Sequence, residues 1–187
     1  MAGRFRFQHA ELPSPSEHDP ATARPVHPSF EHIAGWINTL GPGIALEDLD
    51  NDGLPNDLVW VDPRFDQVFV GPVPSTGERF APFALDLASL RHDARTLAPM
   101  GCAPCDVNED GLADLLVYFW GRPPVAFVRL ESALRAASYL ARPIGDPAER
   151  WYTNAAAFAD VDGDGHADLL IGNYFPDGAR ILDAGAG

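Results

Sequence analysis

A chain of 187 residues with 46% apolar and 10% aromatic side chains is long enough for one packed unit and too hydrophobic to be disordered throughout. Thirteen basic against 27 acidic residues leave a formal net charge of −14, which excludes nonspecific nucleic-acid binding, because that needs a basic surface. No run approaches the ~18 to 20 apolar residues of a helical membrane span, so membrane insertion is not expected; 18 Pro and 17 Gly imply many turns, the balance of an all-β repeat protein.

The chain opens MAGRFRFQHAE, without the apolar core of about 7 to 15 residues that a secretory signal carries, so it reads as cytoplasmic or as a mature or trimmed form. Arg4-Phe5-Arg6-Phe7-Gln8 alternates polar and apolar side chains, which predicts a half-buried strand. The Pro-rich stretch after it, ELPSPSEHDPATARPVHP, predicts an extended connection. His9, His18, His27 and His32 match no ligand spacing and read as ordinary surface or turn residues. Phe30, Ile33, Ile37 and Leu40 recur at roughly helical spacing, predicting a short helix or irregular packed segment over 29–40 before Gly41-Pro42-Gly43 breaks the chain. Residues 1–43 thus form an N-terminal strand and connection.

Residues 44–97 form a first repeat. A strand at 44–46 leads into Asp48-Leu-Asp50-Asn-Asp52-Gly53-Leu-Pro-Asn56-Asp57, followed by the apolar run Leu58-Val59-Trp60. Strands at 58–61 and 67–70 read as a hairpin turned by Asp62-Pro63-Arg64-Phe65-Asp66, with a fourth strand near 79–85. Residues 98–154 form a second repeat: a strand near 98–102, then Asp106-Val-Asn108-Glu-Asp110-Gly111-Leu-Ala-Asp114, strands at 115–120 and 125–130, and a short helical insertion over 130–140. Cys102-Ala-Pro-Cys105 runs into this acidic loop and a strand rather than opening a helix, so redox catalysis is not favoured; a local disulfide or two free thiols is the default, and no zinc-ligand set accompanies them.

The third repeat, 155–187, contains Asp160-Val-Asp162-Gly-Asp164-Gly165-His-Ala-Asp168, then Leu169-Leu170-Ile171, a strand at 169–172, a turn at Pro176-Asp177-Gly178 and a last strand at 180–182. It is incomplete, with no sequence for a fourth strand. Carboxylates spaced this densely repel one another unless a cation sits among them, and Gly at the sixth position allows the sharp turn of known calcium loops. The first residues of the three loops lie 58 and 54 positions apart, the mark of copies of one supersecondary unit. An EF-hand would need a bidentate Glu at position 12 and flanking helices; position 12 is Val59, Val117 and Ile171, and the flanks favour strands.

The pattern D-x-[DN]-x-D-G-x-x-D followed by a strand resembles the FG-GAP or VCBS repeat of integrin-like β-propellers. The segments DLDNDGLPNDLVWVDPRFDQVFVGP, GCAPCDVNEDGLADLLVYFWGR and WYTNAAAFADVDGDGHADLLIGNYFPDGARIL resemble the N-terminal propeller part of the cartilage acidic protein family, whose bacterial members often carry a C-terminal ASPIC/UnbV region. Similarity runs from about Phe5 to Leu182, without the further blades and C-terminal region that family implies. The resemblance implies an all-β fold of propeller-type blades with up to three Ca²⁺. Side chains at positions 1, 3, 5 and 9 and the carbonyl at position 7 would hold each ion. The sets are Asp48, Asp50, Asp52, the Leu54 carbonyl and Asp57 (or Asn56); Asp106, Asn108, Asp110, the Leu112 carbonyl and Asp114; and Asp160, Asp162, Asp164, the His166 carbonyl and Asp168. Eleven of the 27 acids lie at these positions, so three Ca²⁺ would offset +6 of the charge. The remaining reading is that these loops are metal-free turns whose Asp side chains cap backbone N–H groups.

No G-x-S-x-G elbow or Gly-rich phosphate loop appears, so no catalytic residue is expected. Trp60, Tyr118, Phe119, Trp120 and Tyr174, on or just after second strands, read as packing between blades. Known propellers have about 4 to 8 blades, so three motifs imply a piece of a longer protein or a chain completed by copies of itself. The expectation is a non-enzymatic, calcium-binding recognition or adhesion module, extracellular or periplasmic as the resembling family largely is, with a protein partner. The alternatives are a self-assembling homo-oligomer joined through open blade edges and a non-catalytic piece of a larger secreted enzyme.

Overall fold

Leu58, Val59, Trp60 and Val61 follow one another in β2 (Asp57–Asp62), and all four are buried. Val59 and Val61 face the second sheet, and Leu58 and Trp60 pack on the other face with Phe69, Val73 and Ala84, positions that suit β-branched and aromatic side chains. The computed structural model describes residues 9–12, 24–28, 31, 35, 43–90 and 93–179. Within them the chain forms three antiparallel sheets and no helix of seven residues or more, an all-β, propeller-type arrangement.

The first sheet has the order β1 (Ile44–Glu47), β2, β3 (Gln67–Pro72), β4 (Phe83–Ala84). The second repeats that meander with β5 (Ala98–Cys105), β6 (Asp114–Trp120), β7 (Val125–Arg129) and β8 (Tyr139–Pro143). The third is the hairpin of β9 (Thr153–Ala159) and β10 (Asp168–Asn173). In every sheet the acidic loop joins the first strand to the second. The strand expected over 4–8, nearly all of the helix expected over 29–40, and the strand expected over 180–182 fall outside the described residues.

The main core lies between the first two sheets. Val59, Val61, Val68 and Val70 supply one wall, with Leu85, Leu87 and Leu90; Leu115, Val117, Phe119, Val125 and Phe127 supply the other. Val59 is the second residue after its loop's final acid and Leu115 the first after its own, so equivalent strands use opposite faces at this contact. That is how blades stack face to face in one rotational sense. Inner strands approach closely: a Cβ on Gly43 would lie 2.6 Å from the Met100 carbonyl oxygen and 2.7 Å from Gly101 Cα. The hairpin stacks on the second sheet through Trp120, whose ring centroid lies 6.1 Å from Tyr152, 5.8 Å from Phe175 and 6.1 Å from Tyr174.

Two local expectations are corrected. The segment 130–140 holds a 3₁₀ turn at Ala136–Ser138 and then enters β8, instead of forming a helical insertion. Its i,i+4 pair Glu131–Arg135 has helical spacing, but the Arg129 guanidinium takes the Glu131 and Ser132 carbonyls that an α-helix would use. The third sheet also starts at Thr153 rather than near Ala155, because Thr153 pairs with Asn173 beyond a register shift, and its hydroxyl binds Asn173 Oδ1 at 2.8 Å.

Candidate metal centres

Asp at position 1 organises each loop by accepting the backbone N–H groups of positions 5 and 6, and Asp160 also accepts Gly163 N at 2.7 Å. Asp48 takes Asp52 N at 3.0 Å and Gly53 N at 2.8 Å; Asp106 takes Asp110 N at 3.1 Å and Gly111 N at 2.8 Å; Asp160 takes Asp164 N at 3.1 Å and Gly165 N at 3.0 Å. Position 3 supports the same turn, with Asp50, Asn108 and Asp162 each accepting the position-5 N–H. Position 5 caps position 7: Asp52 accepts Leu54 N, Asp110 accepts Leu112 N, and Asp164 accepts His166 N. Position 6 is held at φ 88°, 85° and 91° in Gly53, Gly111 and Gly165, a left-handed conformation that a side chain would strain.

The final acid ties each loop to its second strand. Asp57 accepts Leu49 N at 2.9 Å, Asp114 accepts Val107 N at 3.1 Å, and Asp168 accepts Val161 N at 2.9 Å, each from loop position 2. Asp57, not Asn56, is therefore the first loop's counterpart of Asp114 and Asp168. Burial pushes the Asp57 and Asp114 carboxyls above the usual range, against the pull of these N–H groups and, for Asp57, of Arg79.

Adjacent loops also touch. Asn51 Nδ2 donates to the Gly111 carbonyl at 3.3 Å, and His166 Nδ1 meets Glu109 Oε1. Donation to the Glu109 carboxylate, and the negative charge of that group, raise the His166 pKa. All three loops therefore lie along one rim.

A cation does not fit the three loops equally. Among the described residues, carboxylate triads with oxygens within 4.8 Å of one another occur at Asp48, Asp50, Asp57 and at Asp160, Asp162, Asp168. The triad of loop three is exposed, and no basic side chain of the described residues reaches it; these residues fit a hard divalent ion. Loop two has Asn108 at position 3, whose Nδ2 donates to Asp110 Oδ2 at 2.9 Å, and Asp114 Oδ1 accepts the Arg129 N–H at 2.7 Å. Loop one already contains a charge of the right sign. Arg79 Nη1 lies 2.6 Å from Asp50 Oδ2, and Nη2 lies 2.6 Å from Asp57 Oδ1. Sequence reasoning missed Arg79, which precedes β4 and lies 22 residues from Asp57 in the chain; no local pattern links them.

Together the stacked meanders and the recurring acidic loop define a repeat protein of propeller type. Residues 152–187 match the family model of the FG-GAP repeat, so the third loop and its hairpin constitute such a repeat. No curated protein and no solved structure matched the chain. Among the described residues, no helix is long and apolar enough to cross a membrane.

Proposed function

We propose that the chain is a calcium-binding FG-GAP/VCBS-type module for protein recognition or adhesion, of the kind found in the propeller part of the cartilage acidic protein and ASPIC/UnbV family. Loop three carries this reading: its converging carboxylates have no side-chain cation of their own among the described residues. Asp160, Asp162, Asp164, Asp168 and the His166 carbonyl would hold one Ca²⁺, and Asp106, Asn108, Asp110, Asp114 and the Leu112 carbonyl another. The ion supplies positive charge that fixes the loop, and among the described residues each loop is flanked by strands rather than by helices that an ion could move. A structural ion in a non-enzymatic module suits an extracellular or periplasmic setting rich in calcium. The test is thermal unfolding of the chain with Ca²⁺ and with chelator. Calcium should raise Tm by mass action, and Asp164→Ala and Asp110→Ala should each remove much of the gain. No shift in the wild-type protein would sink the calcium reading.

The outer face of the third sheet favours a partner there. Leu170 is 47% exposed, while its counterparts Val59 and Leu116 are 0% and 1% exposed against neighbouring structure. Ala155 and Ala157 extend the same open face. A second copy of the chain is the alternative occupant. Light scattering separates the two: a mass of 20.2 kDa supports a module awaiting another protein, and a multiple of it supports self-assembly.

A further inference from the structure

We propose that Arg79 is the resident cation of loop one, a tethered substitute for the divalent ion, so that calcium enters loops two and three but not loop one. This rests on the calcium reading above and deepens it by assigning loop occupancy.

Arg79 Nη1 bonds Asp50 Oδ2 at 2.6 Å and approaches Asp52 Oδ2 at 3.3 Å; Nη2 bonds Asp57 Oδ1 at 2.6 Å and the Asn56 carbonyl at 2.8 Å. Two of these acceptors belong to the one triad in this loop whose oxygens converge closely enough to share an ion. The guanidinium therefore takes the oxygens an ion would need, and its fixed charge would repel an arriving Ca²⁺ at contact distance. A planar, permanently charged fork suits the role, because it spans several acceptors at once. The Arg79 side chain is only 18% exposed, and its guanidinium carbon lies 5.9 Å from the centre of the Phe80 ring. Burial works against its charge, but Asp57 and Asp50 together outweigh that and raise its pKa.

Two other features of loop one agree. Its position-7 carbonyl, Leu54, already accepts Asn56 N–H at 2.8 Å. Asn56 Nδ2 also donates to Asp52 Oδ2 at 3.2 Å, using the oxygen of Asp52 that Leu54 N leaves open. A covalently attached cation cannot be diluted or chelated. The first blade would then keep its loop in calcium-free medium, while the loops of the second and third depend on the ion.

The test is the number of Ca²⁺ bound per 187-residue chain, by equilibrium dialysis with calorimetry, in wild type and in Arg79→Ala. The expected result is two ions for wild type and one more for the variant. A folded Arg79→Ala chain that binds no more calcium than wild type overturns the inference. Wild type binding three ions also overturns it and leaves the calcium reading intact. Wild type binding none overturns the calcium reading, while a gain of one ion in Arg79→Ala still supports the role of Arg79. If Arg79→Ala does not fold, Asp48→Asn decides: the wild-type count should be kept, and loss of one ion overturns the inference. Asp164→Asn, losing one ion, serves as the positive control.

Discussion

Arg129 Nη1 donates to the Leu49 carbonyl at 2.6 Å, joining the end of the second sheet's third strand to the base of the first sheet's acidic loop, 80 residues away. The side chain is 1% exposed, and its remaining nitrogens reach the Glu131 and Ser132 carbonyls. Its backbone N–H binds Asp114 of loop two. One residue thus holds two neighbouring loops in register, and Leu49, itself fully buried, cannot turn its carbonyl to water.

Arg129→Ala should therefore destabilise the chain by about 3 kcal/mol or more, because buried carbonyls lose their donors while nothing replaces the side-chain volume. Arg129→Lys should recover little, since one ammonium on a flexible stem cannot reproduce a fork reaching three carbonyls. Urea unfolding at constant calcium measures both. A loss under about 1 kcal/mol for Arg129→Ala, within the worth of one ordinary hydrogen bond, would show that this tie is dispensable.

Asp110 and Asp114 share a loop but should respond differently to chelator. Asp114 is fully buried and bonds both Val107 N and Arg129 N, so Asp114→Ala should cost about 2 to 3 kcal/mol even in chelator, with the calcium-dependent gain of loop two lost besides. Asp110 is exposed, and its backbone partner Leu112 N is a loop-tip group. Asp110→Ala should cost less than about 1 kcal/mol in chelator and lose much of the calcium-dependent gain. Equal losses in chelator would contradict the division between capping and ion binding.

Local chemistry made much of this architecture legible. The alternating acids, the glycine after them and the apolar run that follows located all three loops and the start of every second strand, since each depends on neighbours within about a dozen residues. Long-range partners were not legible. Arg79 and Arg129 do their work across 22 and 80 residues, and neither sits in a pattern that points to its acceptors. The same cause explains the segment after Arg129. The sequence over 130–140 suggested a short helical insertion, but the Arg129 guanidinium, placed by tertiary structure, holds the carbonyls that a helix would need.

Cys102 and Cys105 should remain two free thiols. β5 is regular between them, so alternation turns Cys102 toward the core beside Val117 and Cys105 to the other face beside Asp114. Burial pushes the Cys102 thiol far up, and burial with Asp106, Asp114 and Glu47 raises Cys105. Iodoacetamide should modify Cys105 slowly in the native protein and Cys102 only in denaturant. An intact mass two hydrogens lighter before reduction would establish the bridge and contradict this strand geometry.

Tyr139 lies in the core between the first two sheets, with its ring centroid 5.9 Å from that of Phe83. Its buried hydroxyl has no hydrogen-bond partner among the described residues. Removing an unsatisfied buried hydroxyl while keeping the ring should be neutral or stabilising, so Tyr139→Phe should gain between zero and about 1 kcal/mol at neutral pH. Alkaline stability gives an independent reading. Burial pushes the phenol from its ordinary value of 10.0 up to about 12. The folded state therefore keeps a proton that the unfolded chain has already released. Stability that is full below pH 10 falls as pH rises through about 12. Tyr118 shifts in the same direction and remains in the variant, so Tyr139→Phe should make this loss shallower without abolishing it. Urea midpoints at pH 8 and pH 11 for both proteins measure the difference. A variant less stable at pH 8, with an unchanged alkaline slope, would mean that the hydroxyl is satisfied and this buried site is misassigned.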